Sequence, residues 1–198
     1  MSALPLVLAS QSGSRKAMLS AAGIAFEAVP AHLDERAIED RLAAAAPGEI
    51  ATALAVAKAK AVSETMPGRL VLGSDSLVVV EGKRFDKPAS REDAAAHLRF
   101  FSGKALHLHS AAALVRDGRV EWQGDAMASM QILDLSESFI EEYLSHEWPH
   151  GVRLCRRLPY RGQGVQLFET IEGDQFTVLG MPLLKVLGAL RDLGELAS

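Results

Sequence analysis

Residues 6–19, Leu-Val-Leu-Ala-Ser-Gln-Ser-Gly-Ser-Arg-Lys-Ala-Met-Leu, constrain the fold of this chain more than any other stretch. An apolar run from Leu4 to Ala9, broken by Pro5, suits a buried strand. It gives way to Ser10, Gln11, Ser12, Gly13 and Ser14, and then to a helical pattern with Met18, Leu19 and Ala22 on one face and Gly23 as its cap. Strand, small polar loop and helix leave free backbone N–H groups and the positive end of a helix dipole at one point. Serine hydroxyls, Arg15 and Lys16 stand at that same point. An anion, phosphate foremost, is the natural guest. The same residues also make an ordinary strand-to-helix turn in which a serine is the N-cap.

A chain of 198 residues can bury a sizeable core, as one domain or two small lobes. The net charge of −4 gives no footprint for a nucleic-acid polymer. Cys155, the single cysteine, excludes an intrachain disulfide framework and fits a reducing compartment. No signal-like opening and no membrane-length apolar run is present, so the reading is a cytoplasmic protein with no membrane partner.

Along the chain, Ile24–Val29 reads as a second strand ended by Pro30, and a polar turn over 32–36 leads into a helix near Ile38–Ala45. Pro47-Gly48 starts a longer helix, Glu49 to about Met66, with Ala51, Leu54, Ala55 and Val62 as its core stripe. Leu70–Gly73 is a strand that runs into Ser74-Asp75-Ser76 and then Leu77–Val80, followed by a turn over 81–84. Ser90, with Asp93 three residues on, caps a helix through Phe101. Leu106–Val115 and Val120–Leu133 form a hairpin about Asp117-Gly118. Glu137–Leu144 is helical, Val165–Ile171 a strand and Met181–Leu193 the closing helix. Helices alternate with strands, yet some strands are hairpin-linked, which predicts a mixed α/β sheet with flanking helices.

Asp75 stands out chemically. Placed after an apolar strand and between small residues, it can hold a divalent metal, take a proton from water, or cap a turn. Asp34-Glu35 is a second acidic pair on a loop, either a partner of Asp75 around Mg²⁺ or a solvated charged loop. Lys58 and Lys87 are point charges for phosphate or ordinary surface lysines. His107 and His109 share one side of a strand and read as exposed rather than as a zinc site. A phosphate-type loop, carboxylates and lysines together suggest metal-assisted chemistry on a phosphate ester or anhydride.

The ordered motifs resemble the Maf family of nucleoside triphosphate pyrophosphatases over Leu6–Leu190. The opening Leu-Ala-Ser-x-Ser-Pro-Arg-Arg of that family is Leu8-Ala9-Ser10-Gln11-Ser12-Gly13-Ser14-Arg15 here. Asp34-Glu35, Leu54-Ala55-Val56-Ala57-Lys58-Ala59, Gly73-Ser74-Asp75-Ser76, Lys87-Pro88 and Phe101-Ser102-Gly103 follow in the family's order. Ile171-Glu172-Gly173-Asp174, then Val178, Gly180, Pro182 and Leu183, complete it. The resemblance implies a single domain over 1–198, with two lobes around a nucleotide cleft. It implies hydrolysis of a nucleoside triphosphate to monophosphate and pyrophosphate with a divalent cation, Mg²⁺ or Mn²⁺. It makes Asp75 the general base and a metal ligand with Glu35, and places Ser10, Ser12, Arg15, Lys58 and Lys87 at the phosphates. A homodimer and a link to cell division and septum formation are further family expectations.

Three departures bear on the base. Ser14 replaces the first family arginine, as in members that prefer 7-methyl-GTP, and Ser76 replaces a threonine at a second specificity position. Residues 149–161 lack the family's Ala-Gly-x-Tyr-x-Ile-x-Gly stretch, and its base-facing Glu or Gln falls at Arg161. Shifted by one base, a G+C-rich back-translation of 152–162 reads Ser-Gly-Cys-Ala-Gly-Ala-Tyr-Arg-Ile-Glu-Gly, the missing stretch. The segment is therefore a compensated frameshift or a divergent basic loop, and the coding DNA decides between them. Other readings are hydrolysis of deaminated purine triphosphates and a catalytically weak nucleotide-binding regulator of division.

Overall fold

Ten consecutive residues, Val71–Val80, form the strand around which everything else is placed. The computed structural model describes residues 4–148 and 163–197, so Arg161 and the segment 149–161 lie outside the described residues. In chain order the elements are β1 (Leu6–Leu8), α1 (Gly13–Ala21), β2 (Phe26–Ala28), α2 (Glu35–Arg41), α3 (Pro47–Ser63) and β3 (Val71–Val80). They continue with β4 (Lys83–Phe85), α4 (Arg91–Phe101), β5 (Ala105–Arg116), β6 (Arg119–Ile132) and α5 (Glu137–Glu147). A 3₁₀ turn (Gln163–Leu167), β7 (Phe168–Glu172), α6 (Gln175–Val178) and α7 (Leu183–Asp192) close the fold.

The strands make one seven-stranded sheet in the order β2-β1-β3-β5-β6-β7, with β4 also paired to β3. β1 is parallel to β2 and β3, and the remaining pairs are antiparallel, so the sheet is mixed as the element pattern predicts. Asp117 and Gly118 both have positive φ in the β5–β6 turn, as a two-residue hairpin of the right twist requires. Glu81 and Gly82 do the same between β3 and β4. That second hairpin corrects the expected turn over 81–84, because Lys83 and Arg84 already belong to β4.

β3 carries the larger correction. Asp75 does not follow a strand end; it lies in mid-strand. Gly, Ser and Asp are poor strand formers in isolation. Here β5 pairs with every residue from Val71 to Val80, and the ladder overrides local preference. On the opposite edge, β1 pairs only with Val71 and Leu72, and β4 only with Val78 to Val80. Between them, residues 73–77 have no strand partner on that edge among the described residues.

Alternation assigns the side chains to two faces. Leu77, Ala111 and Ala113 pack beneath Ala51, Leu54 and Ala55 of α3. Leu72, Ala112 and Leu114 face the opposite layer, built from Met18 and Leu19 of α1 and Leu183, Val186 and Leu190 of α7. Val78 and Val80 continue that layer against Phe101 of α4. α3 lies unusually close to β3 at Gly73, where an added Cβ would stand 2.0 Å from the Ala55 carbonyl oxygen.

α2 begins at Glu35 rather than Ile38, because the Asp34 side chain caps it by accepting from the Ala37 N–H at 3.1 Å. Pro47 sits in the first turn of α3, where its missing N–H costs nothing. Ser90 caps α4 through the Asp93 N–H, as expected. β7 is shorter than predicted, since residues 163–167 wind into the 3₁₀ turn. The sequence did not announce α6, a single turn capped by Asp174, which accepts from the N–H groups of Phe176 and Thr177. No helix among the described residues is long and apolar enough to cross a membrane.

Candidate active site

The unpaired stretch of β3 opens onto a cleft of about 400 Å³. Because the cleft cuts through an edge of the sheet, it receives side chains from both faces. On the α3 face, the Lys58 ammonium donates to Asp75 Oδ1 at 2.6 Å and to Glu35 Oε2 at 2.9 Å. The Gly73 contact explains this reach: with α3 pressed on β3, a lysine one turn beyond Ala55 stands over Asp75. Asp75 and Lys58 are largely withdrawn from water, with side chains 11% and 12% exposed, whereas Glu35 is 47% exposed. A pair this sheltered is screened far less than a surface ion pair.

On the other face, Arg15 is buried and bridges three elements. Its Nε donates to the Gly180 carbonyl at 2.9 Å, Nη2 to Ser76 Oγ at 3.1 Å and Nη1 to Ser10 Oγ at 3.4 Å. Ser74 and Ser76 also donate to the Gly180 carbonyl, at 3.2 and 3.0 Å. Ser110 approaches both Ser76 Oγ and the Thr177 carbonyl. Gly180 adopts φ +95, which favours glycine, and so turns its carbonyl toward these donors. Ser14 donates to the Leu179 carbonyl at 2.9 Å.

In the opening loop, no side chain caps α1 among the described residues. Ser12 is the N-cap residue of α1, yet its hydroxyl makes no cap hydrogen bond. Ser10 Oγ instead accepts from the Ser12 N–H at 3.1 Å. Ser12 and Arg15 line the cleft at the N-terminus of α1, opposite Lys58 and Asp75. Of the residues singled out in the sequence, Ser12, Arg15, Glu35, Lys58, Asp75, Ser76 and Lys87 share this one cavity. Ser10 and Ser14 stand behind it through their hydrogen bonds. Asp34 does not join Glu35 there, since its carboxylate caps α2.

Sequence reasoning missed Glu39, Arg84 and Asp86, which line the cleft between α2 and the β4 hairpin. Arg84 donates to Glu39 Oε1 at 2.6 Å and Asp86 Oδ1 at 3.1 Å. Partial burial acts to lower the Arg84 pKa. The hydrogen bond and charge of Glu39, with those of Asp86, outweigh it and hold the guanidinium above its ordinary value. The signal lay in Glu35 and Glu39, four apart on one helix face. The far end of the cleft is apolar and aromatic: Phe85 stacks edge-on against His97 and Phe101 at centroid distances of 5.1 and 4.7 Å.

His107 and His109 share a face, as alternation predicts, but neither is fully exposed. The His107 Nδ1 atom is buried and has no hydrogen-bond partner among the described residues. Burial, then the neighbouring His107, depresses the His109 pKa, against a smaller opposing pull from Asp125. Among the described residues, no group of three or more His, Cys, Asp or Glu is arranged to hold a metal ion.

Fold and site together define a mixed α/β protein with a charged cleft in an interrupted sheet edge, walled by cations and by converging carboxylates. Residues 5–193 match the family described as Maf-like protein, and the chain belongs to that family. It is 44% identical over 187 residues to the nucleoside triphosphate pyrophosphatase of Nitrobacter winogradskyi, covering 94% of this chain and 93% of that one. It is 45% identical over 193 residues to the 7-methyl-GTP pyrophosphatase of Rhizobium etli, covering 96% and 97%. Among solved structures, a HAM1 protein from Coxiella burnetii aligns with a TM-score of 0.47 and 17% identity over 66% of this chain and 73% of that one.

Proposed function

We propose that this protein hydrolyses a nucleoside triphosphate to the monophosphate and pyrophosphate, with Asp75 as general base. The observation that carries the reading is the Lys58 ammonium held between Asp75 and Glu35 at the open edge of β3. A sheltered carboxylate beside cations is the combination that hydrolysis of a phosphoanhydride needs. The relatives' activities and the family itself support it.

The phosphates lie between the α1 N-terminus, with Ser10, Ser12 and Arg15, and the lysines Lys58 and Lys87. Asp75 takes a proton from a water whose oxygen bonds to the α-phosphorus. The bond from the α-phosphorus to the oxygen bridging it to the β-phosphate breaks, and pyrophosphate leaves with that oxygen, its negative charge balanced by the surrounding cations. Glu35 and Asp75 fit a divalent cation, Mg²⁺ or Mn²⁺, because their carboxylates converge on one point and hard cations of this kind combine one or two carboxylates with substrate phosphates. When bound, such an ion neutralises charge on the phosphates. Lys58 then exchanges its carboxylate partners for phosphate oxygens.

The base preference rests on Ser14, Ser76 and the undescribed Arg161, with a modified guanine such as 7-methyl-GTP as the reading Ser14 favours. A short hydroxyl tied to the Leu179 carbonyl presents no cation to a base that itself carries positive charge. The test is a phosphate-release assay coupled to inorganic pyrophosphatase. It screens the common triphosphates, ITP and 7-methyl-GTP, with Mg²⁺ and with Mn²⁺. Turnover of one class establishes the activity and names the base. Folded protein that turns over none of them overturns the reading, and leaves nucleotide binding as the role of the cleft.

A further inference from the structure

α2 is a helix that almost nothing apolar holds down. It has no buried residue, and Ile38 alone packs partly against the α3–β3 core. Across the cleft it is tied by ion pairs: Glu35 to Lys58 at 2.9 Å, Glu39 to Arg84 at 2.6 Å and Arg36 to Asp86 at 3.6 Å. Glu35 and Glu39, four residues apart, lie on one helix face, and each ends on a cation that lines the cavity. Arg36 and Asp86 are open to water, whereas Lys58 and Glu39 are mostly sheltered, so two of the three pairs set an α2 carboxylate on a cation at the cleft wall rather than out in solvent.

Arg84 has the position and the spare donors of a ligand-binding residue. It sits opposite Val79 in the β3–β4 ladder, on the same sheet face as Asp75 and Lys58. Both of its side-chain hydrogen bonds leave from Nη2. Its Nε–H and Nη1 hydrogens have no acceptor among the described residues. A guanidinium fork can take a phosphate through two parallel bonds, which a single carboxylate oxygen cannot match. Within the cleft, Glu35 and Glu39 of α2 face Lys58 and Arg84.

We propose that Arg84 is a further polyphosphate-binding residue of this cleft, and that Glu39 is its internal competitor, whose carboxylate stands where a phosphate oxygen will bind. The inference builds on the triphosphate reading above. Substrate phosphates take Arg84 from Glu39 as they take Lys58 from Glu35. Both helix carboxylates are freed in the same event, so α2 senses an occupied cleft.

The experiment measures binding of inorganic tripolyphosphate by calorimetry, and KM and kcat for the preferred nucleotide, in the full chain. Wild type is compared with Arg84→Ala, Arg84→Lys and Glu39→Gln, with circular dichroism confirming the fold of each. Arg84→Ala weakens tripolyphosphate binding and raises KM by about tenfold or more, the loss of one charge-assisted phosphate contact, while kcat changes little. Arg84→Lys, which keeps the charge without the fork, falls between. Glu39→Gln tightens binding and lowers KM, because the competing charge is gone. Unaltered affinity in both Arg84 variants overturns the proposal. Weakened binding in Glu39→Gln also overturns it and makes Glu39 a strut that positions Arg84. A wild type that binds no tripolyphosphate overturns it as well. A wild type that hydrolyses no nucleotide, yet binds tripolyphosphate with this dependence on Arg84 and Glu39, removes the hydrolytic reading and keeps the proposal.

Discussion

Lys58 is the residue through which the site is best understood, because it satisfies two carboxylates that would otherwise repel each other in a sheltered cleft. If Asp75 is the base, Asp75→Asn keeps the size and most hydrogen bonding of the side chain but cannot accept the proton. It is expected to lower kcat by about a hundred- to ten-thousand-fold while nucleotide binding persists, read by single-turnover kinetics beside calorimetry. His109 gives a prediction about stability. Its folded pKa lies below the ordinary 6.5 because burial and His107 disfavour its charged form. The unfolded chain therefore binds more protons in the window between the two values, and stability falls as pH drops through 6.5 toward the folded value. His109→Gln should flatten that part of a Tm-against-pH curve relative to wild type, and parallel curves would assign the acid sensitivity elsewhere.

At the scale of elements, β3 and α3 act as one unit. The closeness of α3 at Gly73 determines whether Lys58 reaches Asp75, so Gly73→Ala tests the packing and the site together. A methyl there would stand 2.0 Å from the Ala55 carbonyl oxygen, 2.8 Å from the Ala59 nitrogen and 2.9 Å from its Cβ, none of them the end of a flexible side chain. A loss of about 3 kcal/mol or more is expected from overpacking of this kind, with turnover falling further than stability, measured by denaturant unfolding and by the coupled assay. The same unit shows what the sequence could not convey. Gly73-Ser74-Asp75-Ser76 reads locally as a break, and the ten-residue strand exists because β5 supplies a partner at every position. Local preference carries no information about a partner more than thirty residues away. By contrast, the cap at Ser90 and the Asp117-Gly118 turn were legible, since each depends on hydrogen bonds or φ angles within four residues.

For the molecule as a whole, alternation and the hairpin signal were sufficient to predict a mixed sheet, and the ordered motifs to predict the family. They identified seven of the residues that line the cleft, because motif residues from the first half of the chain converge there. They missed Arg84 and Glu39, whose meaning arises only when the β4 hairpin is folded against α2. If Glu35 and Asp75 hold a divalent cation, two protein carboxylates alone would make it part of the complex with substrate more than of the fold. Chelation with EDTA is thus expected to abolish turnover, restored by Mg²⁺ or Mn²⁺, with the Tm of the nucleotide-free protein unmoved; a large fall in Tm would mark a structural ion instead. The Gly180 carbonyl joins Arg15, Ser74 and Ser76 across most of the chain's length. During synthesis, Arg15 and Asp75 emerge from the ribosome long before residue 180 does. A nascent chain already has Arg15, Lys58 and Lys87 and still lacks the acceptor that orients Arg15. The cleft is completed only once residue 180 has been added, so a shorter nascent chain exposes no finished site.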